Sequence, residues 1–248
     1  LLVMFLGYLM IPVTIPFDIR GWQETYPLNG PAWSLFFEYI ANIAYALILR
    51  RLPTAILGIL TGLAGYILIK YAVTNPGQDL VGGWSLNHTQ LEIGFTRLAY
   101  PFLAGMFLYK LFKPMNTGNI FLLCSLFLVL VLSVPRVGSV EASIENGMYD
   151  AFVVIVLFPV VIYFGACSTS VNKKVIALCN FLGNISYPLY IVHFPLAYIY
   201  YAWIVNNGKT LAQAWPAAVM VFTVSILLAY GALKFYDLPV RKWLSRKL

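Results

Sequence analysis

The sequence predicts an all-α protein, a polytopic transmembrane helix bundle with about eight spans in a single domain over residues 1–248. Of the 248 residues, 61% are hydrophobic and only 10% are charged, whereas about a quarter of the residues in a typical soluble domain are charged. Apolar stretches approach the roughly 20 residues that cross a bilayer, and charged and turn residues bound them. Every second junction between these stretches is also rich in basic residues, as expected for a multi-pass membrane protein.

The spans follow from these apolar stretches and from the turn residues between them. The chain opens inside an apolar run that lacks the basic flank and the cleavage site of a signal peptide. We therefore expect a clipped first span and a fragment of a longer protein. Gly30-Pro31 predicts the start of the second span, because proline is tolerated in the first turn of a helix. The predicted spans are 1–17, 33–49, 53–73, 95–112, 118–134, 149–167, 178–204 and 213–236.

The basic residues predict the orientation of these spans. Eleven lie at one set of alternate junctions and five at the other, which indicates a positive-inside bias. We expect the chain to lie in the plasma membrane with both of its ends on the cytoplasmic side. Loops 18–32, 74–94 and 135–148 are then expected to face outward. The richer set is Arg50, Arg51, Lys110, Lys113, Lys173, Lys174, Lys234, Arg241, Lys242, Arg246 and Lys247.

The composition also disfavours two kinds of partner. The net charge of +7 does not indicate nucleic acid, because the basic residues form no patch with interleaved aromatic residues. Cys124, Cys167 and Cys179 form no CxxC pair and lie in or beside apolar segments. They are typical of packing residues rather than of disulfides or metal sites. We therefore expect membrane lipids as partners, no nucleic acid and no metal ion.

The second span contains an ionisable residue, Glu38, within NGPAWSLFFEYIANIAYAL at 29–47. At helical spacing Ser34, Glu38 and Asn42 share one face, and Trp33 lies at the outward end. A charged group at the centre of a bilayer costs about 2.5–3.5 kcal/mol. This face is therefore expected to line a polar site. The alternative is a neutral or hydrogen-bonded Glu38 that ties helices together.

The seventh span repeats this arrangement in LGNISYPLYIVHFPLAY at 182–198. Ser186, Tyr190 and His193 stand at positions i, i+4 and i+7, with Tyr187 beside them. Two prolines interrupt the backbone hydrogen bonds of the helix. A membrane helix tolerates this where neighbouring groups donate to the carbonyls left without a partner. Ionisable residues within a membrane are functional candidates by default, so His193 is a candidate site residue. The alternative is a hydrogen-bonded packing histidine.

Arg97 lies at the outward end of the fourth span, in GFTRLAYPFLAGMFLYKLFK at 94–113. Its planar guanidinium has several donors, which can pair with Glu38 or hold an anionic group. The alternative is an interfacial arginine whose side chain extends to water. The functional interpretation predicts that Glu38, Arg97 and His193 converge on one hydrated cavity.

Four segments resemble the membrane-bound acyltransferase 3 family, whose members O-acylate sugars and other cell-surface acceptors. WSLFFE at 33–38 resembles the family's WSL-x-x-E signature, and RLAYPFLAG at 97–105 resembles its R-x4-F-x2-G helix. LGNISYPLYIVHFPL at 182–196 resembles its LG-x-ISY-x2-Y-x2-H-x-P segment. DLPVRKWL at 237–244 resembles its acidic-x-Pro-x-basic tail. The four occur in the expected order and span nearly the whole chain.

The resemblance implies an O-acyltransferase that moves an acyl group, expected to be acetyl, from acyl-CoA to a hydroxyl of a cell-surface or exopolysaccharide sugar. It implies no bound cofactor, because acyl-CoA is the donor substrate and the sugar or polysaccharide is the acceptor. Glu38, Arg97 and His193 are then the candidate catalytic residues. The candidate substrate-binding residues are Trp33, Ser34, Asn42, Ser186, Tyr187 and Tyr190.

Members of the family open with earlier helices that carry an arginine and a histidine, the latter regarded as the catalytic base, and nothing in this chain corresponds to them. We therefore expect an N-terminally truncated form that is inactive alone. A secondary transporter or flippase of a polar or lipid-linked substrate is an alternative, as is a non-catalytic membrane scaffold. Transporters often show related halves with broken helices in corresponding positions. The interrupted segment 182–196 has no such partner in the first half.

Overall fold

The computed structural model describes residues 2–13, 23–115, 117–137, 143–169 and 172–246. Helices are the only regular secondary structure in these ranges, so the predicted all-α class is confirmed. In chain order they are α1 (Leu2–Tyr8), α2 (Ala32–Leu47), α3 (Thr54–Thr74), α4 (His88–Leu111), α5 (Phe121–Leu132), α6 (Ile144–Phe152), α7 (Phe158–Cys167), α8 (Lys173–Asn206), α9 (Leu211–Ala232) and α10 (Leu238–Leu244). The π-helical segments Val153–Leu157 and Leu233–Asp237 join α6 to α7 and α9 to α10.

Four helical segments of the described chain are long and apolar enough to cross a membrane: Thr54–Thr74, Ile144–Cys167, Lys173–Asn206 and Leu211–Leu244. The protein is therefore membrane-embedded, but the predicted count of about eight spans is not confirmed. Helix α2 has 16 residues and α5 has 12, fewer than the roughly 20 that cross a bilayer. Helix α4 has 24 residues, but its polar N-terminal half reduces its hydropathy.

The chain divides into two compact units. Unit 1 contains Leu1–Trp22, Tyr26–Ala32 and Val171–Leu248, and unit 2 contains Gln23–Thr25 and Trp33–Ser170. In unit 1, a short loop at 207–210 joins α8 to α9, and the two helices pack along each other as an antiparallel pair. Helix α9 begins with a capping box between Thr210 and Gln213, which satisfies backbone groups at its N-terminus.

In unit 2, helix α3 packs against both α4 and α6. The core between them is small: Ala64, Leu68, Ala72, Tyr100 and Ala151. Small residues let membrane helices approach closely. A Cβ added to Gly147 of α6 would lie 2.1 Å from the Ala72 carbonyl oxygen, so the α3–α6 contact requires a glycine at that position.

A proline in unit 2 shows how the helices compensate for a missing backbone donor. Pro159 has no N–H, so the carbonyl of Ile155, four residues earlier, lacks its usual helical donor. Tyr100 Oη of α4 donates a hydrogen bond of 2.9 Å to the Ile155 carbonyl oxygen. A side chain from a neighbouring helix thus satisfies a backbone acceptor that lipid cannot satisfy.

Candidate functional site

Arg97 of α4 and Trp33 of α2 form a stacked pair in unit 2. Cζ of Arg97 lies 4.9 Å from the centroid of the Trp33 ring, within the range of a cation–π interaction. Nη1 of Arg97 donates a hydrogen bond of 2.7 Å to the Gly82 carbonyl oxygen. These two contacts orient the guanidinium, which also covers one face of the Trp33 ring.

The loop before α4 packs closely against Trp33 because it contains glycine. Gly83 has a φ of +107°, a conformation that favours glycine. A Cβ on Gly83 would lie 2.5 Å from Cζ3 of Trp33. Oε1 of Gln90 accepts a hydrogen bond of 2.6 Å from the Gly83 N–H, which ties the loop to the first turn of α4.

Helices α2 and α4 meet at Phe37 and Gly94. The Phe37 side chain is 3% exposed, and a Cβ on Gly94 would lie 2.2 Å from its Cζ atom. The ring of Phe37 also contacts the ring of Phe95 edge-on, with 5.1 Å between centroids. The absence of a side chain on Gly94 therefore determines how closely the two helices approach.

A pocket of about 140 Å³ lies between α2 and α4. Trp33, Ser34, Glu38 and Arg97 line it, so the structure brings together four of the predicted site residues. The Glu38 side chain is exposed rather than buried in the helix packing. Asn42 lies outside this lining, and its Nδ2 donates a hydrogen bond of 2.9 Å to the Glu38 carbonyl oxygen.

In unit 1, a hydrogen bond to backbone orients the His193 ring. Nδ1 lies 2.9 Å from the Leu189 carbonyl oxygen. A carbonyl oxygen only accepts, so Nδ1 carries the proton and donates it. In the neutral form of the ring, Nε2 is then the nitrogen that can accept a proton or a hydrogen bond.

Tyr190 is the predicted binding residue that the structure places next to His193. Its ring lies 6.1 Å from the His193 ring, and its Oη donates a hydrogen bond of 2.6 Å to the Pro31 carbonyl oxygen. Ser186 is exposed and donates from Oγ to the Gly183 carbonyl oxygen at 2.9 Å. Tyr187 is 52% exposed. Ser186 and Tyr187 are thus surface residues of α8 in the described structure.

Asn29 is a polar residue beside this segment that belongs to none of the sequence motifs. Its Nδ2 donates a hydrogen bond of 2.9 Å to the Ile191 carbonyl oxygen. That carbonyl lacks its usual helical donor because the residue four positions later is Pro195. Oδ1 of Asn29 is buried and has no hydrogen-bond partner within the described residues. Pro195 was the sequence signal that could have indicated such a residue, since the carbonyl four residues before a proline in a helix requires a donor from another part of the chain.

The predicted site residues therefore form two groups. Trp33, Ser34, Glu38 and Arg97 form one group in unit 2. Tyr190 and His193 form the other in unit 1, together with Asn29. The convergence of Glu38, Arg97 and His193 on one cavity stays a prediction.

Tyr26 lies in a loop outside the membrane-spanning segments and is 4% exposed. Its Oη donates a hydrogen bond of 2.8 Å to the Met10 carbonyl oxygen. Burial raises the pKa of the Tyr26 hydroxyl to about 12, because the phenolate would lose its hydration. The loop before α2 is thus held in unit 1 by a neutral tyrosine.

The cysteines have the environment of packing residues. Cys124, Cys167 and Cys179 carry free thiols. Cys167 is buried, and its Sγ accepts a hydrogen bond of 3.5 Å from the Met115 N–H. In the part of the chain that the structure describes, no cluster of three or more His, Cys, Asp or Glu residues could hold a metal ion.

Comparison with known proteins identifies one family. A family model described as an acyltransferase domain matches residues 1–233. No match was found among curated proteins or among solved structures. The matched range includes the segments 33–38, 97–105 and 182–196 and ends before the tail segment 237–244.

Proposed function

The chain belongs to the acyltransferase 3 family and is an acyltransferase, and we propose that it moves an acetyl group from acetyl-CoA to a hydroxyl of a cell-surface or exopolysaccharide sugar. The observation that carries this proposal is the grouping of Trp33, Ser34, Glu38 and Arg97 around one pocket. A carboxylate and a guanidinium in one pocket provide an acceptor and a donor for a sugar hydroxyl. The transporter alternative gains no support from the family match.

The proposed reaction requires a base and an oxyanion donor. The sugar hydroxyl oxygen attacks the thioester carbonyl carbon while a base takes the hydroxyl proton. The C–S bond then breaks, and the departing CoA thiolate takes that proton from the base. The negative charge that develops on the carbonyl oxygen requires oriented hydrogen-bond donors.

Arg97 is proposed as the oxyanion donor because its guanidinium is held in one orientation. The Gly82 carbonyl accepts from Nη1, and the Trp33 ring covers one face of the group. A donor that is already oriented needs no reorganisation as the charge develops. Ser34 and Glu38, which line the same pocket, are proposed to hold the acceptor hydroxyl.

Within this chain His193 is proposed as the base, in place of the earlier histidine that the family resemblance implies. The Leu189 carbonyl accepts from Nδ1, so Nε2 is the nitrogen that can receive the hydroxyl proton. Tyr190 is proposed to orient this segment through its hydrogen bond to the Pro31 carbonyl.

The positive-inside pattern supports a proposed orientation in the plasma membrane, with both ends of the chain cytoplasmic. Acetyl-CoA would then arrive from the cytoplasmic side and the sugar from the outer side. The protein would need no bound cofactor, because the acyl group arrives on its own carrier.

The test measures acetyl transfer from radiolabelled acetyl-CoA to surface polysaccharide in membranes that contain the complete protein. Glu38→Gln is expected to lower kcat by about 100-fold or more, within the range of acid–base and hydrogen-bonding contributions. Glu92→Gln is the matched control, since Glu92 is an exposed carboxylate of α4 outside the pocket that Glu38 lines. Unchanged transfer in Glu38→Gln would contradict the assigned role, and absence of transfer to any sugar acceptor would contradict the proposed reaction.

A further inference from the structure

Unit 2 contains a second, larger cavity that the proposed reaction does not use. This groove has a volume of about 820 Å³ and is lined by residues of α3, α4, α6 and α7, the C-terminal end of α5 and the loops that flank these helices. Pockets of this size bind small organic molecules. Arg97 lines both this groove and the small pocket with Glu38, so the two cavities share one residue.

One end of the groove is polar. Nη1 of Arg136 lies 3.0 Å from Oδ2 of Asp150, and the Leu80 N–H donates to the same oxygen at 3.4 Å. Arg97 donates to the carbonyl of Gly82, two residues after Leu80. The loop at 80–82 therefore brings Arg97, Arg136 and Asp150 to the same end of the groove.

The rest of the groove is apolar and follows α4. Its lining runs from Arg97 through Pro101 and Gly105 to Leu108, a length of about 16 Å at the helical rise of 1.5 Å per residue. Ile162 of α7 also lines it and is 58% exposed. A Cβ added to Gly105 would meet no atom within 4 Å, so the groove is open at that point.

We propose that this groove binds a membrane glycolipid, with its hydrocarbon chain along Pro101–Leu108 and its head group at the Arg136–Asp150 end. An apolar trench beside membrane-spanning helices suits a hydrocarbon chain, because the chain can pass from the bilayer into the groove without meeting water and gains packing contacts there. The polar end suits a neutral, hydroxyl-rich head group. Its lining contains two guanidinium groups and two carboxylates, Glu145 being the second, so the charges balance.

A balanced set of donors and acceptors distinguishes this head group from a phosphate. Hydroxyls both donate to carboxylates and accept from guanidinium groups, whereas a phosphodiester only accepts and therefore matches the guanidinium half of this set alone. Arg97 extends from the groove to the small pocket. The head group would therefore arrive beside the residues proposed to hold the acceptor hydroxyl. That the glycolipid is the acceptor rests on the proposed function. That the glycolipid binds in the groove does not depend on it.

The experiment is photolabelling of the complete protein in lipid nanodiscs. The probe is a glucosyl diacylglycerol with a diazirine in one acyl chain, and the comparison probe is phosphatidylglycerol with the same chains. We expect the glucosyl probe to label peptides that contain residues 101–108 and 158–162. We expect Gly105→Trp to reduce this labelling by about tenfold, because the indole would occupy the open part of the groove.

Gly165→Trp is the matched control, because Gly165 also has no atom within 4 Å of an added Cβ but lies outside the groove lining. Ile162→Trp is a second variant that fills the groove from α7, at an already exposed position. The proposal would be overturned by labelling outside these peptides or by labelling that persists in both groove variants. Equal labelling by the phosphatidylglycerol probe would also overturn it. Acetyl transfer from radiolabelled acetyl-CoA to surface polysaccharide is measured in parallel. Labelling without transfer would reject the proposed reaction alone, and transfer without selective labelling would reject the groove assignment alone.

Discussion

The side-chain amide of Asn29 donates a hydrogen bond of 2.9 Å to the carbonyl of Ile191, the carbonyl that Pro195 deprives of its usual helical donor. Tyr100 does the same for Ile155, four residues before Pro159. In each case a proline interrupts a membrane helix, and a side chain distant in sequence supplies the missing donor. The prolines therefore tie these helices to particular neighbours.

Asn29→Ala is expected to destabilise the protein by about 1–3 kcal/mol, because the half-buried Ile191 carbonyl would be left without a donor in a membrane helix. Thermal unfolding in detergent measures this loss. Pro195→Ala restores a backbone N–H at position 195, so the cost of Asn29→Ala should shrink in that background. Pro188→Ala is the control, since its freed carbonyl belongs to Asn184. Equal costs in all three backgrounds would show that Asn29 does not compensate for Pro195.

Gly94→Ala is expected to cost about 1–3 kcal/mol of stability, because its Cβ would overlap the Phe37 ring. Combining it with Phe37→Leu should recover part of this loss, since the overlapping ring is removed. Gly62→Ala, where an added Cβ meets nothing within 4 Å, is expected to be stabilising by about 0.4–1 kcal/mol. A tolerated Gly94→Ala would mean that the α2–α4 contact is looser than described.

Arg97→Lys is expected to lower kcat by about tenfold or more while leaving the fold intact. Lysine keeps the charge but loses the planar group that stacks on Trp33 and donates to Gly82. Steady-state acetyl transfer at saturating acetyl-CoA is the measurement. Arg51→Lys serves as the control, because Arg51 is exposed and lies outside both pockets. Equal rates for the two variants would show that the Arg97 guanidinium has no role in the reaction.

His193→Asn tests whether Nε2 is the base. The asparagine amide can retain the donor to the Leu189 carbonyl but has no nitrogen in the Nε2 position. We expect kcat to fall by about 100- to 10,000-fold with little change in the thermal midpoint. His88→Asn, at an exposed position of α4, should leave kcat unchanged. Full activity in His193→Asn would identify His193 as a packing residue.

Raising the pH above 10 is expected to destabilise unit 1 through Tyr26. The folded-state pKa of Tyr26 is about 12, and its unfolded value is the ordinary value of about 10. Folding therefore disfavours the phenolate, so stability is unaffected below pH 10 and falls as the pH rises from 10 to 12. Tyr26→Phe should flatten this decline in the thermal midpoint, whereas Tyr8→Phe, at a 76% exposed position, should not. Identical declines in both variants would contradict the assignment.

Much of the fold and half of the candidate site could be predicted from local patterns. The membrane class follows from composition, and the shared face of Ser34 and Glu38 follows from helical spacing. The predicted candidate Arg97 does line the pocket with these residues. The number of spans was not confirmed, because helix length depends on where caps and contacts end each helix, which hydropathy alone does not show.

The sequence by itself determined that this protein is a helical membrane protein and an acyltransferase 3 family member, because hydrophobic length and motif spacing are properties of neighbouring residues. Only the tertiary structure decided that Arg97 stacks on Trp33, that Asn29 donates a hydrogen bond to the Ile191 carbonyl, and that a groove extends from Arg97 along α4. These features join residues far apart in the chain. Their positions depend on which helices pack together and on the small residues, such as Gly94, that set how closely they approach.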